Sequence, residues 1–448
     1  MTDNVYSELY KRLQKMGDGY VMREKYLIKQ SENELENLLE DMYISVPYPD
    51  YSHNSLFNFE PNHSIAGDRF PCSSIDCRLK RINELSIFSS MYADHVNIDF
   101  PLNRHINALI DNQQIDREML LDDLEVIAAY RPLAEAGIVQ FQPNMAVCCN
   151  QCMKKIDYFR ELFMNQYDKF LANKELDLLR RLDCHVALDE YGIPYVAVGP
   201  MLEYGIDEEI DLHFRSYIPD VVQRRIDSGQ LTDRILPEGI RSLGFSDLLF
   251  NEVGTDIKYF CVENRQINYS YLTNRDIDFD ILNYVGASES QVGNYQALNG
   301  LAHTLPSFEF SNVNRIIKLR EHNQDIFDRY RKAITSALNE IGGINSQADS
   351  ETLYHDIIEP EVEKIDNLVK DSRKNLLSDA VCVGCTFSLG ALASSYTPSI
   401  PAWIVGGLTS VLSPSASIPD VWKRWSDQKE LIQSNNYYFL WKIEHPSS

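Results

Sequence analysis

Between residues 77 and 300 the spacing of apolar positions changes period several times. RLKRINELSIFSSMYA and DREMLLDDLEVIAAYRPLAEAG repeat apolar side chains three and four apart, the spacing of a helix with one buried face; Pro132 interrupts the second and Gly137 ends it. HVNIDF, IVQFQP, EIDLHF, IKYFCV and INYSYL are short apolar and aromatic runs that predict strands. HVALDEYGIPYVAVG predicts two strands about a turn at Tyr191-Gly192, and MKKIDYFRELFMNQYDKFLANKELDLLRRL predicts a long helical region. Helix and strand thus interleave, the pattern of an α/β or α+β domain.

The flanks read differently. Residues 1–43 are polar and helical in pattern, and residues 44–76, rich in Pro, Asn and Ser, predict a long loop. Beyond residue 300 the strand signals stop. SNVNRIIKLREHNQDIFDRYRKAITSALNEIGG predicts one strong helix, with Ser311 as its N-cap and Gly342-Gly343 as its stop. A second helical stretch, SETLYHDIIEPEVEKIDNLVKDSRKNLL, restarts at Pro360. The predicted organisation is a helical segment and loop over 1–76, an α/β domain over 77–300, and an all-helical region over 301–448.

That last region contains an uncharged stretch from Ala380 to Pro419, in a chain of net charge −24. Pro398 and Pro401 split it into arms of about 18 and 12 residues, at and below the length that spans a bilayer. Both arms are rich in Gly, Ala and Ser, which let helices approach closely. The stretch predicts a buried αα-hairpin. The alternatives are a hairpin over 380–413 that inserts into a membrane after a trigger, and a constitutive anchor.

Charge and composition narrow the partners. With 66 acidic against 42 basic residues, the chain is ill suited to neutralising nucleic-acid phosphates. The amino-terminal residues carry no apolar run of the secretory type, and the nine cysteines are an odd number; both point to a reducing, cytoplasmic setting, with membrane association after activation as the alternative.

Candidate chemistry is sparse. Cys149 and Cys152 in AVCCNQCMKK have the spacing of half a zinc site, with Cys72, Cys77, His53, His63, Cys184 and His185 as possible further ligands; buried thiols and a redox dithiol are the alternatives. Asp256 and Lys258 in GTDIKYFCVENR, with Asp247 upstream, match the D-x-K arrangement of a metal-dependent nuclease if they lie on a strand, the carboxylates holding the metal and the lysine assisting water. RDIDFDI places Asp276, Asp278 and Asp280 on one side of a predicted strand, and LDEYG reads as a hairpin end. The chain contains no phosphate-binding G-x-x-x-x-G-K-[ST] loop, no H-E-x-x-H and no G-x-S-x-G.

FSSMYADHVNI, YRPLAEAGIVQF and the closing YYFLWKI resemble segments of uncharacterised bacterial accessory-genome proteins, some of which occur near anti-phage systems. The resemblance implies a role in defence or stress and assigns no residue. Three functions follow as expectations: an interaction or sensor protein that works with a protein partner or a second copy of itself; a membrane-active effector using 380–413; and a divergent metal-dependent hydrolase using Asp247, Asp256 and Lys258.

Overall fold

A computed structural model describes residues 5–47, 57–143, 149–201, 204, 209–214, 217–263, 269–285 and 313–340, with parts of 359–370 and 430–444. Three helices come first: α1 (Ser7–Lys15), α2 (Tyr20–Ile28) and α3 (Glu32–Ile44). Ser31 caps α3 in a reciprocal box, its hydroxyl accepting from the Glu34 N–H while its own N–H donates to the Glu34 carboxylate. Next are β1 (Asn58–Pro61), α4 (Ile75–Tyr92), β2 (His95–Asp99), α5 (Asn103–Ile110), α6 (Arg117–Ala129), α7 (Arg131–Glu135) and β3 (Val139–Gln142). After α8 (Asn150–Leu179) come β4 (Cys184–Leu188), β5 (Pro194–Val198), β6 (Ile210–His213), α9 (Asp220–Ser228) and α10 (Pro237–Ser242). Then follow α11 (Phe245–Lys258), a π-helical turn over Tyr259–Glu263, β7 (Ser270–Leu272) and α12 (Asp276–Val285).

Four of these strands form a parallel sheet in the order β3-β2-β1-β7. The chain runs β1, β2, β3 in one direction across the sheet, then returns with β7 on the other side of β1. Phe59, Val96, Ile98, Val139 and Phe141 are fully buried in it. Phe59 meets Phe88 of α4 at 5.4 Å, and Phe141 meets Tyr6 edge-on at 5.5 Å. The amino-terminal helices belong to this body. The Phe141 N–H donates to the Tyr6 hydroxyl at 2.9 Å, Arg117 of α6 donates to the Leu27 carbonyl at 2.6 Å, and Arg23 pairs with Glu125. The boundary predicted near residue 76 therefore falls inside one strand–helix–strand unit.

A second, antiparallel sheet has the order β4-β5-β6. Its first hairpin turns where the sequence predicts: Gly192 takes φ 76°, and the Asp189 carboxylate accepts from the N–H groups of Tyr191 and Ile193. This sheet shares a core with α8, α11 and α12, including Tyr167, Val186, Val196, Val253, Ile257 and Ile281. Gly254 is the close approach of α11 to α8, since a Cβ there would meet the Tyr167 ring at 2.6 Å. That ring stacks between Phe163 and Phe170, and its hydroxyl donates to the Phe250 carbonyl at 2.5 Å, so it has little room to yield. Gly254→Ala should destabilise by about 1–3 kcal/mol despite alanine's better helix propensity. Faster hydrogen exchange in α8 and α11 would register the change; unaltered exchange would show that the ring can move aside.

Two predicted strands are helical. IKYFCV forms the end of α11 and the π-helical turn, and RDIDFDI begins α12, where Ile277, Ile281 and Leu282 share the buried face. The described residues divide into two units, one within 1–302 with 313–317 and the other from 318 onward. The predicted single helix over 311–343 is two, Val313–His322 and Gln324–Glu340, broken at Asn323, while Ser311 and the glycine stop lie outside the described residues. Phe439 of the helix Tyr438–Glu444 packs on Phe327 and Tyr330 at 5.1 and 5.4 Å. An α/β region built on a parallel sheet is thus present. Residues 380–413, and with them the hairpin, lie outside the described residues.

Candidate functional site

All four parallel strands end on one edge of their sheet, and the order reverses between β1 and β7. In open α/β sheets this is where ligands bind, because the loops from two neighbouring strands part there. Here the two loops are tied at their base. The Asn62 N–H continues the ladder to the Leu272 carbonyl at 2.7 Å, and its side-chain amide donates to Thr273 Oγ1 at 2.9 Å. His63 and Arg275 follow directly on these two loops.

Arg275 is 1 % exposed and lies between two buried carboxylates. Its Nη2 donates to Asp256 Oδ2 at 2.5 Å, and its Nε donates to Asp278 Oδ2 at 3.0 Å. The same Asp278 oxygen accepts from the Thr273 hydroxyl at 2.6 Å and the Tyr271 hydroxyl at 3.0 Å. Burial raises the Asp278 pKa despite Arg275. Burial works the same way on Asp256, but Arg275 and His63 outweigh it and hold that carboxyl low. On the other side of Asp256, its Oδ1 lies 2.5 Å from His63 Nδ1. The Asp256 carboxylate is thus in ion-pair contact with His63, 23 % of whose side chain reaches solvent. Burial alone would lower the His63 pKa, yet Asp256, with Asp99 and Asp68 behind it, pushes it up to about 10.

The charges of two more carboxyls act on this histidine. Asp99, at the end of β2, accepts from Asn103 Nδ2 at 2.6 Å, and burial pushes its pKa up to about 6 against the pull of His63. Glu252 lies one turn before Asp256 on α11; burial raises its pKa, and the charges of Asp256 and Asp68 add to the effect while His63 opposes it. The loop that carries His63 is pinned from below. The Asp68 N–H donates to the His63 carbonyl at 2.9 Å, Arg81 donates to the Asp68 carbonyl at 2.6 Å, and Arg78 donates to the Gly67 carbonyl at 2.7 Å. The Asp68 carboxylate pairs with Arg104, which also lies 3.5 Å from the fully buried Asp123. Asp123 further accepts from Arg78 at 2.6 Å and contacts His105 Nε2 at 2.8 Å. Burial favours its neutral form, but the hydrogen bond with His105 and the charges of Arg104 and Arg78 outweigh it and lower its pKa. The result is an ionic network that holds the His63 loop, with Asp99 and Glu252 within electrostatic reach of the histidine.

The D-x-K reading does not survive this geometry. Asp256 and Lys258 lie on α11, not on a strand, and two residues along a helix point about 200° apart. Asp247 is exposed in the first turn of the same helix, nine residues away, and Asp256 is committed to His63 and Arg275. The candidate zinc ligands are not gathered into one group among the described residues. Cys149 and Cys152 are exposed at the start of α8, Cys184 is buried in β4, His63 is held by Asp256, and His53 lies outside the described residues. Among the described residues no group of three or more His, Cys, Asp or Glu side chains is placed to hold a metal ion. Nor, among them, is any helix long and apolar enough to cross a membrane.

Sequence reasoning missed Asp99, Glu252 and Arg275, and weighed His63 only as a zinc ligand. The available signal was the four-residue spacing of Glu252 and Asp256. No family model, curated protein or solved structure matches the chain, so the chemistry of this edge rests on its own geometry.

Proposed function

We propose that the chain is an interaction or sensor protein whose α/β unit recognises a small polar ligand at the carboxyl edge of its parallel sheet. One observation carries this reading: Asp99 and Glu252, from two other elements, both act electrostatically on His63, which follows β1 beside the order reversal and next to a network of buried ion pairs. Groups whose protonation is displaced by burial and by specific neighbours are concentrated where proteins bind or transform ligands. Asp99 and Glu252 supply acceptors and His63 supplies a donor, which suits a molecule bearing hydroxyl or amino groups. A protein partner or a second copy would receive the signal, within a bacterial defence or stress complex. The exposed Leu188, Tyr191 and Ile193 around the β4–β5 turn support that second contact.

The test is a thermal-shift and calorimetric comparison against nucleosides, sugars, amino acids and polyamines. At least one class should bind to the wild type and lose at least about tenfold in affinity with Asp99→Asn or Glu252→Gln, as expected when a buried hydrogen-bonded group is lost. No binding by any class, or undiminished binding by the double variant, would remove the proposal. Flotation of the full chain with liposomes tests the membrane-effector alternative, which rests on 380–413.

A second reading, acid–base catalysis at the same edge, is favoured by the His63–Asp256 contact. The pair would present a fixed proton donor opposite Asp99 as acceptor. With a ligand in hand, His63→Gln separates the readings: a catalyst would keep binding and lose turnover.

A further inference from the structure

We infer that Cys149 and Cys152 form a reversible dithiol–disulfide site that exchanges with low-molecular-weight disulfides. The two sulfurs lie 3.5 Å apart, both residues are exposed, and neither is in a disulfide. Closing the bond to about 2.05 Å requires a movement of roughly 1.5 Å between two surface side chains, with no core to disturb. Cys184 shows the contrasting case, a thiol that is 1 % exposed in β4 and packs as a small apolar group.

The position separates the roles of the two sulfurs. Cys149 is the N-cap of the 30-residue α8, with extended backbone (φ −74°, ψ 157°), and Cys152 follows in the first turn. The first N–H groups of a helix have no carbonyl partner within it and favour negative charge beside them. A thiolate at the cap is stabilised by them, which makes Cys149 the attacking sulfur and Cys152 the resolving one. The Cys149 thiolate attacks one sulfur of glutathione disulfide, forming a mixed disulfide and releasing one glutathione thiolate. Cys152 then loses its proton, attacks the Cys149 sulfur and releases the second glutathione thiolate. Two protein thiols are oxidised, one glutathione disulfide is reduced to two thiols, and the protons pass to the released thiolates. Excess reduced glutathione runs the sequence backwards.

The experiment equilibrates the full chain, with chelator present, across a series of reduced-to-oxidised glutathione ratios. Remaining thiols are then alkylated and the 149–152 peptide is weighed. Wild type and Cys148→Ser should both lose two alkylation sites together and regain them with dithiothreitol. Cys152→Ser should accumulate a glutathione adduct at Cys149, and Cys149→Ser should exchange at least about tenfold more slowly than wild type. Alkylation of both thiols at every ratio, pairing through Cys148, or a lasting glutathione adduct on the wild type would each overturn the assignment.

Discussion

Replacing Arg275 with methionine is expected to open the site edge of the parallel sheet. The guanidinium is the shared partner of Asp256 and Asp278, and both carboxylates are buried with it. Removing one member of a buried ionic group costs about 3–5 kcal/mol, because the charges left behind are uncompensated and remain out of water. The chain has two units and need not unfold in one step, so local hydrogen exchange is a better measure than a melting temperature. Peptides covering β1 and β7 should lose protection by about two to four orders of magnitude, the same energy expressed as a ratio. Those covering the helix Gln324–Glu340 serve as the internal reference. Asp278→Asn should cost less, because an amide oxygen still accepts from the Thr273 and Tyr271 hydroxyls. Equal protection in wild type and Arg275→Met would show that water reaches the two carboxylates and that the network is not a buried one.

The second large effect is in alkali. His63 binds its proton more tightly in the folded chain, where its pKa is about 10, than in an unfolded chain with the ordinary value of 6.5. Below pH 6.5 both states are protonated and the full stabilisation from the Asp256 pair is present. As pH rises the unfolded state gives up its proton first, so stability falls steadily and the contribution is gone above pH 10. The span corresponds to at most about 5 kcal/mol. Asp99, with its pKa raised from 3.8 to about 6, also loses stability as pH rises, but between those two values, below the histidine window. His63→Gln should therefore flatten the decline in alkali, while the Asp99 decline persists and moves upward in pH, because the histidine's charge no longer opposes it. The two profiles, read from exchange at β1 and β7, decide the matter: parallel curves above pH 6.5 would mean that His63 is neutral in the folded protein.

Much of the fold is legible in the sequence, and the part that is not coincides with the site. The helices over 75–92, 117–129 and 150–179 and the hairpin at Tyr191-Gly192 show in local period and turn residues, because each buries a regular face or uses a glycine. β1 does not show. Its four residues, Asn58, Phe59, Glu60 and Pro61, are all buried, but only Phe59 reads as a strand residue, and the strand is set by backbone pairing with β2 and β7. DIDFDI shows the reverse error. Its alternation mimics a strand, while Ile277, Ile281 and Leu282, spaced four and one apart, bury one side of a helix. His63, Asp99, Glu252 and Arg275 form no motif because they meet only when β1, β2, α11 and β7 are assembled. D-x-K at Asp256 and Lys258 misled for a related reason: the spacing says nothing until the element is known, and on a helix it separates the two side chains.

The pairing of β1 with β7 has a consequence for synthesis. Asn62 and Thr273 are 211 residues apart. At ribosomal rates of roughly 5–20 residues per second, one side of β1 waits about 10–40 s for its neighbour to be made. During that interval β1 can pair with β2 while its other side presents open backbone to the crowded interior of a cell. A long, apolar strand in that position would invite the wrong chain. Asn58 and Glu60 on so short a segment, and Pro61 without an N–H to offer, make it a poor template for a stranger. The features that hide β1 from a sequence reader also keep it from recruiting other nascent chains until its own partner arrives.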